Sequence, residues 1–208
     1  MAFTLITARI ALEKLAALLE EKKEYLTDLD SAIGDADHGT NMNRGFKKSM
    51  EKMQAKEYAD FAEIFRDVAM TLMSAVGGSA GPLYGTFFMK MGQALAGKNE
   101  ATAEEFAIAM QEGLDGIMKL GKSAPGDKTM VDALSPAIAA LKGNPADDCA
   151  AWISATDAAE EGMKATIPML AKRGRSSYLG ERSIGHQDPG ATSSWYLFSC
   201  FRDALIGS

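Results

Sequence analysis

Apolar residues recur along this chain at intervals of three and four, and no run alternates cleanly every second residue. Ile6, Ile10, Leu15, Leu18, Leu19 and Leu26 share one face of a first helix from about Thr4 to Asp28. A second helix follows Gly39 and runs to about Met53, a third covers Asp60 to Ala75, and a fourth covers Gly81 to Ala96. The fifth opens on a capping box, Thr102 to Glu105, and ends near Gly121. The sixth spans about Thr129 to Leu141, and the seventh starts at an Asp147–Asp148 cap and bends at Pro168. The eighth runs from Thr192 to Leu205. Scattered Val and Ile leave no strand signal, so the expectation is all-α: eight antiparallel helices in an up-and-down bundle or barrel.

In such an array alternate loops share an end. The even-numbered connections, such as "AGKNE" and "KGNPADD", are ordinary polar turns. The odd-numbered ones are "GDADHG", "VGGSAGPLYG", "GKSAPGDKTM" and "KRGRSSYLGERSIGHQDPGATSS". Helix parity therefore predicts that all four unusual loops meet at one end as a single site.

The 208 residues fit one domain, 1–208, and 47% apolar content is ample for a core. A net charge of −6 argues against a broad basic surface for nucleic acid. Cys149 and Cys200 have no metal-like spacing and read as thiols in a reducing compartment. With no leader-like start and no apolar run of about 18 residues, the expected location is cytoplasmic, away from membranes.

Asp30, Asp35 and Asp37 crowd three like charges into eight residues, which a divalent ion would relieve. An EF-hand is a poor fit, because counting from Asp35 places Phe46 where the twelfth-position Glu belongs. Mg²⁺ completed by phosphate oxygens suits the pattern better. "VGGSAG" puts three glycines in six residues before a helix, an arrangement that brings backbone amides up to an anion. It is no P-loop, since no Gly-Lys-Ser/Thr follows. "PGDKTM" has the look of a phosphate-binding Lys-Thr but reads equally as a capped turn. The last loop carries Lys172, Arg173, Arg175 and Arg182, and an arginine there can stabilise charge on a transferring phosphoryl group. His38 and His186 both fall in these loops, as bases, phosphate carriers or turn residues.

The four segments "YLTDLDSAIGDADHGTNMNRGF", "SAVGGSAGPLYGTFF", "PGDKTMVDAL" and "KRGRSSYLGERSIGHQDPGATS" together resemble the nucleotide-binding L subunits of bacterial dihydroxyacetone kinases. The resemblance implies an eight-helix barrel with ADP or ATP capping one end as a tightly bound coenzyme. It implies that Asp30, Asp35 and Asp37 hold two Mg²⁺ ions, and that His38, Gly39, Thr40 and Asn41 lie along the phosphates. Ser79 and Ala80 would contact phosphate, Gly121 and Met130 would border the base, Arg175 would approach the phosphate tail as the catalytic residue, and Asp188, Pro189 and Gly190 would close over the nucleotide. The family often has Ala-Ser where this chain has Ser79-Ala80, so a hydroxyl contact from the second position is lost while backbone contacts remain.

The implied partners are a dihydroxyacetone-binding K subunit and a phosphohistidine-bearing donor M subunit, with a homodimer as one state of the free subunit. The donor rephosphorylates bound ADP, and the γ-phosphoryl passes to dihydroxyacetone on the K subunit. Two other readings stay open: a small-molecule kinase using free ATP, and a nucleotide-loaded module that docks a transcription regulator.

Overall fold

The structure, a computed structural model, describes residues 2–143 and 147–207. The helices are α1 (Leu5–Glu21), α2 (Lys23–Ile33), α3 (His38–Gln54), α4 (Phe61–Ala75), α5 (Ala80–Ala94), α6 (Ala103–Gly121), α7 (Val131–Lys142), α8 (Asp148–Ala165) and α9 (Pro189–Ile206). Two short strands, β1 (Phe3–Thr4) and β2 (Glu100–Ala101), pair antiparallel, and a 3₁₀ segment covers Arg175–Ser183.

The expected single first helix is a kinked pair. Lys22 interrupts it for one residue, although Leu26 N still donates to Lys22 O at 2.9 Å. Counting α1 and α2 as one strut gives the eight expected. Consecutive struts pack against one another, and α1 packs on α9, which closes the ring. Glycines set the spacing where helices come closest. A Cβ at Gly162 of α8 would fall 2.2 Å from Asp132 O in α7. Pro136 lacks the amide that would otherwise occupy that carbonyl.

The interior is aromatic. Phe46, Phe65, Phe87, Phe88, Phe106, Trp152, Phe198 and Phe201 are fully buried. Phe3 plugs one end, its ring 4.7 Å from that of Phe106 and 5.4 Å from that of Phe201. The β1–β2 pair holds it there, and Leu5 N donates to Asn99 O and Phe61 N to Lys98 O alongside. With that end stitched shut, the opposite end carries the four odd-numbered connections.

Several boundaries differ from the sequence expectation. The α2 helix continues five residues past Asp28, so Asp30 belongs to its final turn rather than to a loop. The α8 helix stops at Ala165, before Pro168, and does not bend there. The residue ahead of a proline disfavours the helical region, and the Thr166 hydroxyl turns back to donate to Met163 O at 2.6 Å. The α9 helix starts at Pro189, earlier than Thr192, because Asp188 caps it by accepting from Ala191 N at 2.7 Å. Asp followed by Pro is a strong start signal that the sequence reading assigned to the loop. The Thr102–Glu105 capping box and the Asp147 cap form as expected.

Candidate functional site

At the open end α3, α5, α7 and α9 all begin, so four positive helix ends face a common cleft. Its lining includes Asp30, Asp35, Asp37 and His38 from the first corner, and Gly77, Gly78, Ser79 and Ala80 from the second. Gly121 and Met130 come from the third corner, and Arg175, Asp188, Pro189 and Gly190 from the fourth. The four odd connections therefore meet, as parity requires.

Carboxylate oxygens of Asp30, Asp35 and Asp37 lie within 4.8 Å of one another. Asp30 is buried, and its Oδ2 accepts from the amides of Asp37 and His38 at 2.8 and 3.1 Å. Those two bonds fold the loop back so that the other carboxylates reach the same point. Glycine is required at 34, where a Cβ would sit 2.0 Å from Asp30 Oδ1. Ala36 takes a left-handed φ of 60°, an unfavourable conformation for alanine that places Asp35 and Asp37 on either side of it. Three oxygen donors with no nitrogen or sulfur among them suit a hard divalent cation such as Mg²⁺. Arg175 reaches the same cluster, its Nε 2.9 Å from Asp35 Oδ2.

The glycine corner offers backbone. Gly78 adopts φ 65°, and no side chain caps the first turn of α5 at Ser79. Its amides are thus presented to the cleft, which Ser79 and Ala80 both line. Leu83, Tyr84, Ile117 and Met130 form an apolar wall beside it.

Behind the carboxylates runs a buried hydroxyl network. His38 Nε2 lies 2.9 Å from Ser193 Oγ, which is 2.8 Å from the Tyr84 hydroxyl, itself 3.1 Å from Ser194 Oγ. Burial lowers the His38 pKa to about 4 against the pull of Asp30 and Asp37, so the imidazole is neutral at pH 7. Burial raises the Tyr84 hydroxyl to about 12. It also raises Asp188 to about 7, with Asp132 and Asp30 adding to the shift and the Ala191 amide and Lys128 opposing it.

Three of the expected phosphate neighbours do not line the cleft. Gly39 packs its backbone on α2, where a Cβ would meet Lys23 O at 2.0 Å. Thr40 is exposed, and Asn41 is buried behind the glycine loop, with its Oδ1 accepting from Arg44 Nη2 at 2.6 Å. His186 is exposed and outside the lining. The lysine of "PGDKTM" does not present itself as a phosphate ligand: Lys128 Nζ is spent on backbone carbonyls of Thr166, Ile167, Met169 and His186. Tyr84, Ser193, Leu83 and Ile117 are not singled out in the sequence analysis, whereas Arg173 and Met130 are named there. Tyr84 stands four residues after Ala80 and so shares its helix face, a spacing visible in "AGPLY".

Residues 32–203 match the DAK2 domain family. The chain is 45% identical over 189 residues to the ADP-binding subunit of a PEP-dependent dihydroxyacetone kinase from Escherichia coli, covering 89% of this chain and 90% of the relative. It is 43% identical over 194 residues to the ADP-binding subunit of a PTS-dependent dihydroxyacetone kinase from Lactococcus lactis, covering 93% and 94%. Human triokinase/FMN cyclase is 34% identical over 200 residues, which is 94% of this chain but 34% of that protein. Among solved structures, the dihydroxyacetone kinase of C. freundii in complex with AMP-PNP and Mg²⁺ superposes with a TM-score of 0.74 at 26% identity. That match covers 96% of this chain and 33% of the longer one. With this likeness and this cleft together, the chain belongs to the DAK2 domain family and groups with its dihydroxyacetone kinase L subunits.

Proposed function

We propose that this protein is the ADP/ATP-binding subunit of a dihydroxyacetone kinase, a phosphotransferase with an alcohol acceptor. The observation that carries the reading is the convergence of three carboxylates within 4.8 Å at the mouth of a cleft that also holds an uncapped glycine corner, an arginine and an apolar wall. A nucleoside diphosphate needs each of these: metal ligands and amides for its phosphates, and an apolar slot for its base. Asp30, Asp35 and Asp37 would hold Mg²⁺, two ions in our reading, and the metal would neutralise phosphate oxygens while relieving the carboxylates' repulsion.

The residues then divide the work. Backbone amides at Ser79 and Ala80 cradle phosphate. Leu83, Ile117 and Met130, with Gly121, flank the base. Asp188, Pro189 and Gly190 close the cleft from α9. Arg175 stands at the phosphate end, where its planar fork stabilises charge on the moving phosphoryl group.

In this reading ADP stays bound. A phosphohistidine-bearing M subunit rephosphorylates it in place, and a hydroxyl of dihydroxyacetone on the K subunit takes the γ-phosphoryl, giving dihydroxyacetone phosphate. The PEP- and PTS-dependent names of the full-length relatives support that cycle. A free-ATP kinase is the second reading, favoured by the single-chain kinases, of whose length this chain spans about a third. Native mass spectrometry after extensive dilution tests the choice. Co-purifying ADP and Mg²⁺ that survive dilution support the coenzyme role, and a protein that arrives empty and exchanges ATP freely refutes it.

A further inference from the structure

Lys128 is fully buried, yet its side chain ends among oxygen atoms rather than beside a carboxylate. Its Nζ donates to Thr166 O at 2.7 Å and to His186 O, with Met169 O at 3.2 Å and Ile167 O at 3.4 Å. Four acceptors around one nitrogen call for the three donors of an ammonium. Burial works against that charge, and nearby Asp188 supports it. The backbone of Lys128 takes a left-handed φ of 62° to send the side chain inward.

These carbonyls belong to both ends of the long connection between α8 and α9. Thr166, Ile167 and Met169 begin it, just past the negative end of α8, and His186 finishes it. Between them lie Arg173 and Arg175, and two residues past His186 comes Asp188. The same corner grips the loop a second time: Asp127 O accepts from Lys172 N at 3.1 Å, and Asp127 Oδ2 faces Arg173 Nε at 3.4 Å.

We propose that Lys128 is a positioning residue, a tethered cation that draws together both ends of the 167–187 loop and thereby sets where Arg175 and Asp188 stand over the cleft. It does not touch the phosphates. The consequence for nucleotide rests on the function proposed above, whereas the clamp itself does not.

The test removes the cation and then returns it. Lys128→Ala deletes three carbons and the nitrogen and leaves a slot beside the cleft that Lys128 lines. Propylammonium matches the missing group, and propanol matches its shape without charge. Hydrogen exchange should speed up about tenfold or more within 167–187 and stay unchanged across the barrel, with a similar gain in the rate of ADP release. Propylammonium should reverse both effects, and propanol neither. Lys128→Met, which fills the slot with an uncharged chain, should show the same faster exchange without rescue. Should Lys128→Ala purify unfolded, propylammonium must restore its helicity for the proposal to stand. Exchange that is unchanged, or raised evenly over all helices, or rescued equally by propanol overturns it. A protein that never binds ADP would refute the nucleotide reading, and loop exchange would still report on the clamp.

Discussion

The guanidinium of Arg175 lies 2.9 Å from the carboxylate of Asp35, across 140 residues of sequence, and so competes with any cation for that oxygen. Replacing Arg175 with alanine should therefore tighten binding of Mg²⁺ alone while the fold and ADP retention persist. Phosphoryl transfer should fall about 10³-fold, because an arginine acting on the transition state affects kcat more than binding. Lysine should recover little, lacking the planar fork. Single-turnover transfer from preloaded ATP to the K-subunit complex, with titration of metal, measures both. A near-normal rate would leave Arg175 as scaffolding.

Asp30 and Asp35 should behave differently when changed. Asp30 accepts two backbone amides in a buried position. Asp30→Ala leaves those donors unpaired and should cost about 1–3 kcal/mol in ligand-free stability. Asp35→Asn should leave the melting temperature almost unmoved and abolish Mg²⁺-dependent ADP retention. In the parent protein, Mg²⁺-ADP at a hundredfold excess over its Kd should add about 2.7 kcal/mol. Thermal melts with and without ligand check all three, and unchanged Mg²⁺ dependence in Asp35→Asn would remove it from the ligand set.

Stability should depend on pH through Asp188. Its folded pKa of about 7 lies above the ordinary 3.8, mainly because it is buried, with Asp132 and Asp30 adding to the shift. A carboxyl raised on folding stabilises the fold fully at low pH, and that contribution is lost as pH climbs toward 7. A shift of about three units corresponds to about 4 kcal/mol at most. Asp188→Asn keeps a capping oxygen and removes the titration, so its stability relative to the parent should rise between pH 4 and 7 and then level off. His38 acts in the opposite sense, since its lowered pKa stabilises the fold above pH 6.5 and is lost toward about 4. It is common to both proteins and cancels in the difference. A flat difference between the two melting curves would show that Asp188 does not titrate there.

Neither histidine should carry the phosphoryl group. His38 Nε2 is buried against Ser193, and His186 lies outside the cleft. Incubation with the phosphorylated donor subunit should move label onto bound ADP, recovered as ATP after denaturation. Acid-labile phosphate on the chain itself would contradict this.

Much of the architecture could be read from residue order because its causes are local. Helical spacing, the Thr102–Glu105 box and the Asp147 cap each depend on residues within one turn. Once the helices are counted, parity alone sends the four odd connections to one end. Asp35, Asp37 and the glycines of "VGGSAG" stand out for the same reason, as charges and glycines clustered where a plain turn needs neither, whereas Ser79 and the choice of Arg175 among the last loop's cations rest on the family resemblance.

What remained hidden depends on partners distant in sequence. His38 meets Ser193 across 155 residues, and Lys128 meets the carbonyl of His186 across 58. Nothing in "PGDKTM" tells whether its ammonium faces phosphate or backbone, since that choice is made by the carbonyls that α8 leaves open at its end. Asp188 looks like any helix cap in sequence. Its raised pKa arises only when the ring closes, excludes water and sets Asp132 and Asp30 near it. Propensity and capping act within a turn and are written in residue order, whereas desolvation and the satisfaction of buried polar groups act between neighbours in space, which only the closed barrel supplies.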